Sequence, residues 1–160
     1  MNFFENNNFF LEINLNKQKK IKVLIFLWRF AQYRQRNKIY SVIFFPIHTI
    51  YWFYSQILLG IELPMAVACK GPLIIWHGNG LVVNPGVEIG SNVVLRNGVT
   101  IGNNGNDQGC PVIGDDVEIG ANSVLIGKIE ISNNAKIGPN SFVNFDVKEG
   151  EKIISGTIKK

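Results

Sequence analysis

The sequence predicts a mostly β fold, a three-sided parallel β-solenoid preceded by a short α-helical N-terminal segment. Three observations support this: large aliphatic residues recur every six positions, glycine directly follows several of them, and a basic, aromatic segment precedes the repeat. A period of six fits neither an α-helix, whose apolar residues recur at three and four positions, nor an isolated strand with a period of two. A repeat sustained over so many units is the signature of a solenoid.

The repeat runs from Val83 to Val147. Only Asp107, in the polar stretch 102–109, interrupts its first set, which is otherwise aliphatic and in phase: Val83, Ile89, Leu95, Ile101, Ile113, Ile119, Leu125, Ile131, Ile137 and Val143. A second set lies four positions further on and is mostly β-branched or small: Val87, Val93, Val99, Val117, Ser123, Ile129, Ala135, Ser141 and Val147. We expect the first set to form the core and the second to lie near the corners.

Glycine and asparagine predict the corners of the prism. Glycine directly follows the aliphatic residue, where the chain must bend and a side chain would be costly, at Gly90, Gly102, Gly114, Gly120 and Gly138. Asparagine recurs three positions after the aliphatic residue, at Asn92, Asn122, Asn134 and Asn140. Because asparagine tolerates the left-handed backbone conformation, we expect these residues to form tight turns.

Composition divides the chain into a helical, basic and aromatic segment, residues 1–60, and a solenoid, residues 61–160. The first holds eight Lys/Arg and two Asp/Glu and the second eight and ten, so the net charge of +4 comes from the N-terminal segment. No nucleic-acid-binding motif accompanies these basic residues, so we do not expect a nucleic-acid partner. Two cysteines, Cys69 and Cys110, do not form a disulfide framework and, with no signal peptide recognised, indicate a cytoplasmic setting.

The N-terminal segment predicts a helix from about residue 16 to 35 and a second apolar segment over residues 40–59, broken or kinked at Pro46. Residues 1–15 receive no assignment. Two interpretations stay open: the segment packs on the end of the solenoid or on a neighbouring subunit, or it makes a peripheral contact with the anionic inner face of the cell membrane. The proline and the polar residues within the second apolar segment argue against a membrane span.

Two departures from the repeat are the functional candidates, because loops on a rigid scaffold usually carry function. His77 stands where the count places an aliphatic residue, and a flexible Gly-Asn-Gly follows it. The second departure is the polar, glycine-rich stretch 102–111. A neutral imidazole has a suitable pKa to remove a hydroxyl proton near pH 7, so His77 fits a general base.

Four segments carry a resemblance: LIIWHGNGLVVN (73–84), GVTIG (98–102), CPVIGD (110–115) and IGANSV (119–124). Together they resemble the hexapeptide-repeat acyltransferases, which have a left-handed parallel β-helix, and in particular serine acetyltransferases and the O-acetyltransferases of capsular and other surface polysaccharides. The resemblance covers residues 61–158. It implies a homotrimer with acetyl-CoA in the groove between neighbouring solenoids, and it implies no metal.

The resemblance also implies roles for individual residues. His77 matches the general base, and Glu62, fifteen positions earlier, matches the acidic residue that orients it. A backbone N–H at Gly102–Asn103 is expected to stabilise the oxyanion. The positions that match the acetyl-CoA groove are the backbone of Ala121 and Pro139 and the side chain of Lys136.

The chain departs from the serine enzymes where they hold their substrate. Trp76 replaces the aspartate before the histidine, and Gly109-Cys110 replaces an Arg-His pair. A zwitterionic amino acid needs paired charges in its pocket, whereas Trp76 offers an apolar face suited to a sugar ring. Asp107 and Cys110 are expected beside the acceptor, with Cys110 lining the pocket rather than acting as a nucleophile.

These observations predict an acetyl-CoA-dependent O-acetyltransferase acting on a hydroxyl of a surface-polysaccharide sugar or its precursor. Serine O-acetylation for cysteine biosynthesis remains the alternative small-molecule reaction. A non-catalytic solenoid scaffold remains an alternative from another class, although it would keep its repeat without interruption. The zinc-dependent carbonic anhydrases that share this solenoid use three histidines, whereas this chain has two, His48 and His77.

Overall fold

The computed structural model describes residues 8–105 and 109–154 of the chain. Helices come first: α1 (Asn8–Leu15), α2 (Lys19–Gln32), α3 (Lys38–Ile43) and α4 (Phe45–Trp52). A 3-10 turn at Tyr33–Gln35 extends α2, and a π-helical turn at Phe53–Leu58 extends α4. The remaining elements are short strands: β1 (Ala68–Cys69), β2 (Leu73–Trp76), β3 (Val82–Val83), β4 (Glu88–Ile89), β5 (Val93–Arg96), β6 (Thr100–Gly102), β7 (Val112–Ile113), β8 (Glu118–Ile119), β9 (Val124–Ile126), β10 (Glu130–Ile131), β11 (Lys136–Ile137), β12 (Phe142–Val143) and β13 (Lys152–Ile153).

The strands form three parallel sheets, which are the three faces of a prism. Face 1 has the order β1-β4-β7-β10, face 2 the order β13-β11-β8-β5-β2, and face 3 the order β12-β9-β6-β3. Consecutive strands along the chain fall on different faces, so the chain winds through about four coils and each strand pairs with its equivalent in the next coil. The predicted three-sided solenoid preceded by helices is confirmed.

The predicted core is confirmed position by position. Every residue of the first aliphatic set is buried, the most exposed being Ile137 at 3%. The second set is buried as well, with Ile129 the most exposed at 7%. Within each coil the first set points inward from the strands and the second set packs beside the turns. The six-residue repeat therefore results from core packing, because each coil stacks its aliphatic side chains on those of its neighbours.

The predicted turns are also confirmed. Asn92, Asn122, Asn134 and Asn140 all have a positive φ between 56° and 61°. Asp116, with a φ of 57°, occupies the same position in its coil and was not predicted. The glycines that follow the aliphatic residues are required mainly by contact with the next coil: a Cβ on Gly90 would lie 2.4 Å from Asp115 Oδ1, and one on Gly120 would lie 2.5 Å from Pro139 N.

The polar stretch 102–111 is an insertion that leaves the stacking intact. Ile119 pairs with Ile137, 18 positions later, which is one coil of three six-residue units. Ile101 pairs with Leu125, 24 positions later, so this coil holds one extra unit. The extra residues loop out between β6 and β7, which explains why the aliphatic count resumes in phase. Of the predicted site residues, Asp107 lies outside the described residues.

The helices differ in detail from their prediction. The helix expected over 16–35 begins at Lys19 and ends at Gln32, followed by the 3-10 turn. Helix α1 lies in the stretch without an assignment. The break expected at Pro46 falls at Phe44, the last residue before α4, and Pro46 occupies the first turn of α4, where its missing N–H is tolerated. No helix in the described ranges is both long and apolar enough to cross a bilayer.

The first two helices close the open edge of face 2. Strand β2 is the last strand of that sheet, so part of its backbone has no partner strand. The Asn16 amide donates to the Leu73 carbonyl at 2.9 Å and accepts from the Ile75 N–H at 2.8 Å, as a neighbouring strand would. The Leu73 N–H donates to Glu12 Oε1 at 2.8 Å. Side chains of α1 and its C-terminal end thus replace a missing coil.

A buried ion pair fixes this cap. Arg29 of α2 donates to both carboxylate oxygens of Glu12, at 2.9 and 2.8 Å, and to the Gly71 carbonyl at 2.9 Å. The exposed fraction of the side chain is 3% for Arg29 and 0% for Glu12. Around the pair, α2 contributes fully buried apolar residues to the same core as the solenoid: Ile21, Leu24, Ile25, Trp28 and Ala31. The helices and the solenoid therefore share one hydrophobic core.

Replacing Arg29 by Met should lower the free energy of unfolding by about 3–5 kcal/mol, because it leaves the Glu12 carboxylate buried without its partner. Urea unfolding at a fixed protein concentration measures this change. The matched control is Lys136→Gln, which removes a surface ion pair, Lys136–Glu118, also 2.8 Å long but with half-exposed side chains. That variant should lose less than about 1 kcal/mol. Equal losses in the two variants would contradict the role given to the buried pair.

Candidate functional site

His77 lies at the turn that joins β2 to β3. Its φ of 69° places it in the left-handed region, which is uncommon for a residue other than glycine and costs conformational energy. The side chain is exposed, and its ring nitrogen Nδ1 lies 2.8 Å from the side-chain amide nitrogen of Gln18. A half-turn of the Gln18 amide presents its oxygen to Nδ1 instead. The second ring nitrogen, Nε2, faces no described hydrogen-bond partner and is available for chemistry.

The two residues before α2 form one wall of a pocket around His77. This pocket, of about 270 Å³, is lined by Lys17, Gln18, Ile75, Trp76 and His77. Lys20 Nζ donates to the side-chain oxygen of Asn79 at 2.6 Å. This bond connects the beginning of α2 to the β2–β3 connection that contains His77. The pocket therefore has the basic side chain of Lys17 and the aromatic ring of Trp76 beside the His77 imidazole. Sequence reasoning found Trp76 and His77 but missed Gln18, since no local pattern marks a partner 59 positions away.

Glu62 is exposed and lies one coil before β3. Its backbone pairs with Val82 of face 3 through the Glu62 N–H to Leu81 and the Val83 N–H to Glu62. No hydrogen bond joins the Glu62 carboxylate to His77 among the described side chains, and the ring nitrogen that it would hold is occupied by Gln18. The pairing of Glu62 with His77 therefore stays a prediction, and the structure does not bring the two side chains together.

The three residues predicted for acetyl-CoA lie together. Ala121, Lys136 and Pro139 line one groove of about 360 Å³ on face 2 and its corner with face 3. Arg96 and Lys152 line the same groove, so three cations surround it. Lys136 is also paired with Glu118 of the same groove at 2.8 Å. The groove is thus predominantly basic, as suits a phosphate-bearing ligand, although Arg96 and Lys152 were not predicted.

His77 and this groove share one corner of the prism, which we call the histidine edge. It is the corner between faces 2 and 3, formed by residues 77–80, 97–98, 120–122 and 138–140. Backbone hydrogen bonds run along it: Gly98 N–H to Asn79, Asn122 N–H to Asn97, and Asn140 N–H to Ala121. Ala121 follows the second strand of face 2 after the one that precedes His77, and Pro139 follows the third. At the usual distance between neighbouring strands, these residues lie about 10 and 14 Å from His77 along the solenoid axis.

Trp76 connects the pocket to the groove. Its side chain is 39% exposed, and the Arg96 guanidinium carbon lies 4.5 Å from the centre of its ring. Arg96 is the neighbour of Trp76 in the β2–β5 ladder and lines the groove. One ring face is therefore held by a cation–π contact. The predicted contact of Trp76 with an acceptor would therefore use the part of the ring that lines the His77 pocket.

The other predicted residues lie on a different corner, which we call the loop edge. It is the corner between faces 3 and 1, formed among the described residues by 84–86, 102–105, 109–111, 127–128 and 144–146. The Gly102 carbonyl there accepts from the Gly127 N–H at 3.0 Å, and the Asn103 side chain accepts from the Gly105 N–H at 3.3 Å. The Cys110 thiol donates to Asn84 Oδ1 at 3.3 Å. Within one chain, therefore, the loop residues and His77 lie on different corners.

Two further groups are structural. His48 Nδ1 lies 3.0 Å from Arg34 Nη1, and burial, together with the Arg34 charge, lowers the pKa of His48. Burial raises the pKa of the Cys69 thiol, which keeps it protonated and unreactive near pH 7. Among residues 8–105 and 109–154, no three His, Cys, Asp or Glu side chains are grouped to hold a metal ion.

Comparison with known proteins identifies relatives of the solenoid. Residues 110–144 match the bacterial transferase hexapeptide family, described by six repeats. The protein named "Putative colanic acid biosynthesis acetyltransferase WcaB" of Escherichia coli K12 is 32% identical over 84 residues, 52% of each chain. Serine acetyltransferase of Bacillus licheniformis is 34% identical over 102 residues, 62% of this chain and 47% of that protein. This chain thus spans about half the length of the curated relatives it matches.

A solved structure shows the same fold. Serine acetyltransferase from Brucella abortus strain S19, in complex with coenzyme A, superposes with a TM-score of 0.77 at 21% identity. The match covers 92% of this chain and 64% of that one. The resemblance to hexapeptide-repeat acyltransferases, and among them to serine and polysaccharide acetyltransferases, is confirmed.

Replacing Gln18 by Leu tests the contact that orients the imidazole. The hydrogen bond at Nδ1 should hold the neutral ring of His77 in one tautomer, with well-separated 15N resonances for its two nitrogens. In Gln18→Leu the two tautomers should exchange and the resonances should move towards each other. Long-range 1H–15N correlation spectra at alkaline pH measure this, with Gln35→Leu, an exposed glutamine replaced in the same way, as control. An unchanged His77 spectrum in Gln18→Leu would contradict the assignment.

Proposed function

We propose that this chain, whose solenoid is that of the hexapeptide-repeat transferases, moves an acetyl group from acetyl-CoA to a hydroxyl of a surface-polysaccharide sugar or its precursor. The observation that carries this proposal is that His77 and a basic groove share the histidine edge. Because the base and the anion-binding groove lie along the same edge, a long donor could bind its phosphates in the groove and place its reactive end at the base. The acetyltransferase names of the matched relatives support this assignment.

The donor suits the groove chemically. In the proposed complex, Arg96, Lys136 and Lys152 face the phosphates of acetyl-CoA, and the backbone at Ala121 and Pro139 contacts the arm that carries the thioester. Lys136 would exchange its exposed pair with Glu118 for a phosphate, at small cost because such pairs contribute little to stability. The coenzyme A in the Brucella abortus relative supports a donor of this kind.

The reaction needs a base that can also return its proton. In the proposed mechanism, His77 Nε2 takes the proton of the acceptor hydroxyl as its oxygen attacks the thioester carbonyl. The carbon–sulfur bond then breaks, and the sulfur leaves with the proton held by the imidazolium, which gives the acetyl ester and free CoA thiol. For this role Nδ1 must carry a proton and donate it, which requires the half-turn of the Gln18 amide that presents its oxygen to Nδ1. Gln18 is thus a positioning residue.

We propose that the site is completed by a second copy of the chain. Gly102, Asn103 and Cys110 lie on the loop edge, away from His77. In a homotrimer arranged around a three-fold axis parallel to the solenoids, the loop edge of one copy would meet the histidine edge of the next. The backbone N–H at Gly102–Asn103 would then stabilise the oxyanion, and Cys110, with Asp107, would contact the acceptor. A site divided in this way unites the residues predicted on the two edges.

The acceptor is proposed from the chemistry around His77. The pocket holds Trp76 and the aliphatic side chain of Ile75, with Lys17 as the charged residue that lines it. At the positions where the serine enzymes hold their substrate, Trp76, Gly109 and Cys110 carry no charge. An amino-acid substrate needs both an anion and a cation to hold it, whereas a sugar needs an aromatic face and neutral hydrogen bonds. Serine O-acetylation is the second candidate, favoured by the 34% identity to serine acetyltransferase.

An acceptor screen tests the proposal. Purified protein with acetyl-CoA should release free CoA thiol with nucleotide-linked or lipid-linked sugars, and at a rate at least tenfold lower with serine. The His77→Asn variant keeps a hydrogen-bonding side chain but lacks the base, and should lose about 100-fold or more of the turnover. Faster turnover with serine would establish the second candidate. Binding of neither acetyl-CoA nor any acceptor would support a non-catalytic scaffold, and full activity of His77→Asn would contradict the mechanism.

A further inference from the structure

The N-terminal segment has an apolar surface that the proposed reaction does not use. On α3, α4 and the π-helical turn, nine large apolar side chains are between 46% and 75% exposed: Ile39, Val42, Ile43, Phe45, Ile50, Trp52, Phe53, Ile57 and Leu58. We call this surface the outer face. Folded chains rarely leave so many large apolar side chains in water within one short segment, and such patches usually mark an interaction site.

Helix α4 turns its apolar side away from the protein. Tyr51 and Ser55, one turn apart, are buried, and their hydroxyls donate to the carbonyls of Leu63 and Ile61. Ile50, Phe53 and Ile57 follow one another at helical spacing on the opposite side and are at least half exposed. A helix stabilised only by its own protein shows the reverse pattern. Packing against the solenoid therefore does not explain the outer face.

Basic residues border the outer face. The guanidinium carbon of Arg34 lies 5.1 Å from the Phe45 ring centre, and that of Arg36 lies 5.5 Å from the Tyr40 ring centre. Lys38, at the start of α3, is exposed. The sequence between Glu12 and Glu62 contains no Asp or Glu, and Glu12 is buried against Arg29. Residues 13–61 thus offer cations and apolar side chains without a carboxylate side chain.

We propose that the outer face docks on an anionic phospholipid surface. Its aliphatic and aromatic side chains would enter the boundary between headgroups and acyl chains, with Trp52 at the interface. Arg34, Arg36 and Lys38 would face the lipid phosphates. A second copy fits less well, because a symmetric contact brings the same cations of the two copies together with no carboxylate between them. This docking does not depend on the identity of the acceptor.

Sedimentation with sucrose-loaded vesicles tests the docking on the full chain. Vesicles of phosphatidylglycerol and phosphatidylcholine should carry the protein down at low salt, whereas vesicles of phosphatidylcholine alone should leave most of it in solution. Raising the salt to 1 M should weaken the binding, because the Debye length falls to about 3 Å. The assay needs neither acetyl-CoA nor an acceptor, so its result is separate from that of the acceptor screen.

Two sets of variants locate the contact. Phe53→Ser with Ile57→Ser should weaken partition into anionic vesicles by about 100-fold or more, since two apolar side chains no longer leave water. Arg36→Gln with Lys38→Gln should weaken it by about 25-fold, because each lost charge lowers the affinity by about fivefold. The matched controls are Phe142→Ser, a 58% exposed phenylalanine on face 3, and Lys128→Gln with Lys148→Gln on the solenoid. Circular-dichroism melts confirm that each variant is folded.

Three results would overturn the docking. The first is no binding to anionic vesicles, and the second is equal binding to anionic and neutral ones. The third is a lower molecular mass of Phe53→Ser with Ile57→Ser by light scattering without vesicles, which would make the outer face a contact between copies. Loss of binding in both outer-face variants, with binding kept in both control variants and an unchanged mass, supports it.

Discussion

The backbone hydrogen bonds between consecutive coils determine the rest of this structure. Each strand pairs in parallel with its equivalent in the next coil, so a residue lies directly above its counterparts in the repeat. The face or corner that a side chain occupies therefore follows from its place in the count. This register puts His77, Ala121 and Pro139 on the histidine edge and Gly102 and Cys110 on the loop edge. The proposed division of the active site between copies is a consequence of the same register.

The register also leaves the first coil with an unpaired edge at β2, and the helices that cover this edge also position a residue of the candidate site. With no coil before it, β2 exposes backbone groups that Glu12 and Asn16 satisfy, and the Glu12–Arg29 pair holds α1 and α2 in place. Gln18 lies only two positions after Asn16. The hydrogen bonds that anchor Asn16 on Leu73 and Ile75 thereby also bring Gln18 to the ring of His77. The same short segment therefore covers the end of the solenoid and orients its candidate base.

The sequence predicts those parts of the structure that repeat. The core and the asparagine turns follow from position in the count, because each coil imposes the same environment. Ala121, Lys136 and Pro139 were inferred from the resemblance, and the stacking of the coils places them in one groove. The contacts of the helices could not be predicted in this way. The Gln18–His77 contact joins residues 59 positions apart, and α1 is short and pairs its polar side chains with a strand edge that no local pattern reveals. Glu62 was inferred from a resemblance alone, and its partnership with His77 still awaits a test.

The most direct test of this account is complementation between two inactive chains. The variants are His77→Ala, which removes the base, and Asn103→Pro, which removes a backbone N–H from the loop edge. Co-expressed with different tags in equal amounts and purified as mixed trimers, they should recover roughly one third of the wild-type acetyl transfer, since one of the three interfaces in each mixed trimer joins an intact histidine edge to an intact loop edge. Mixed oligomers that form but show no activity above either variant alone would contradict a site shared between copies.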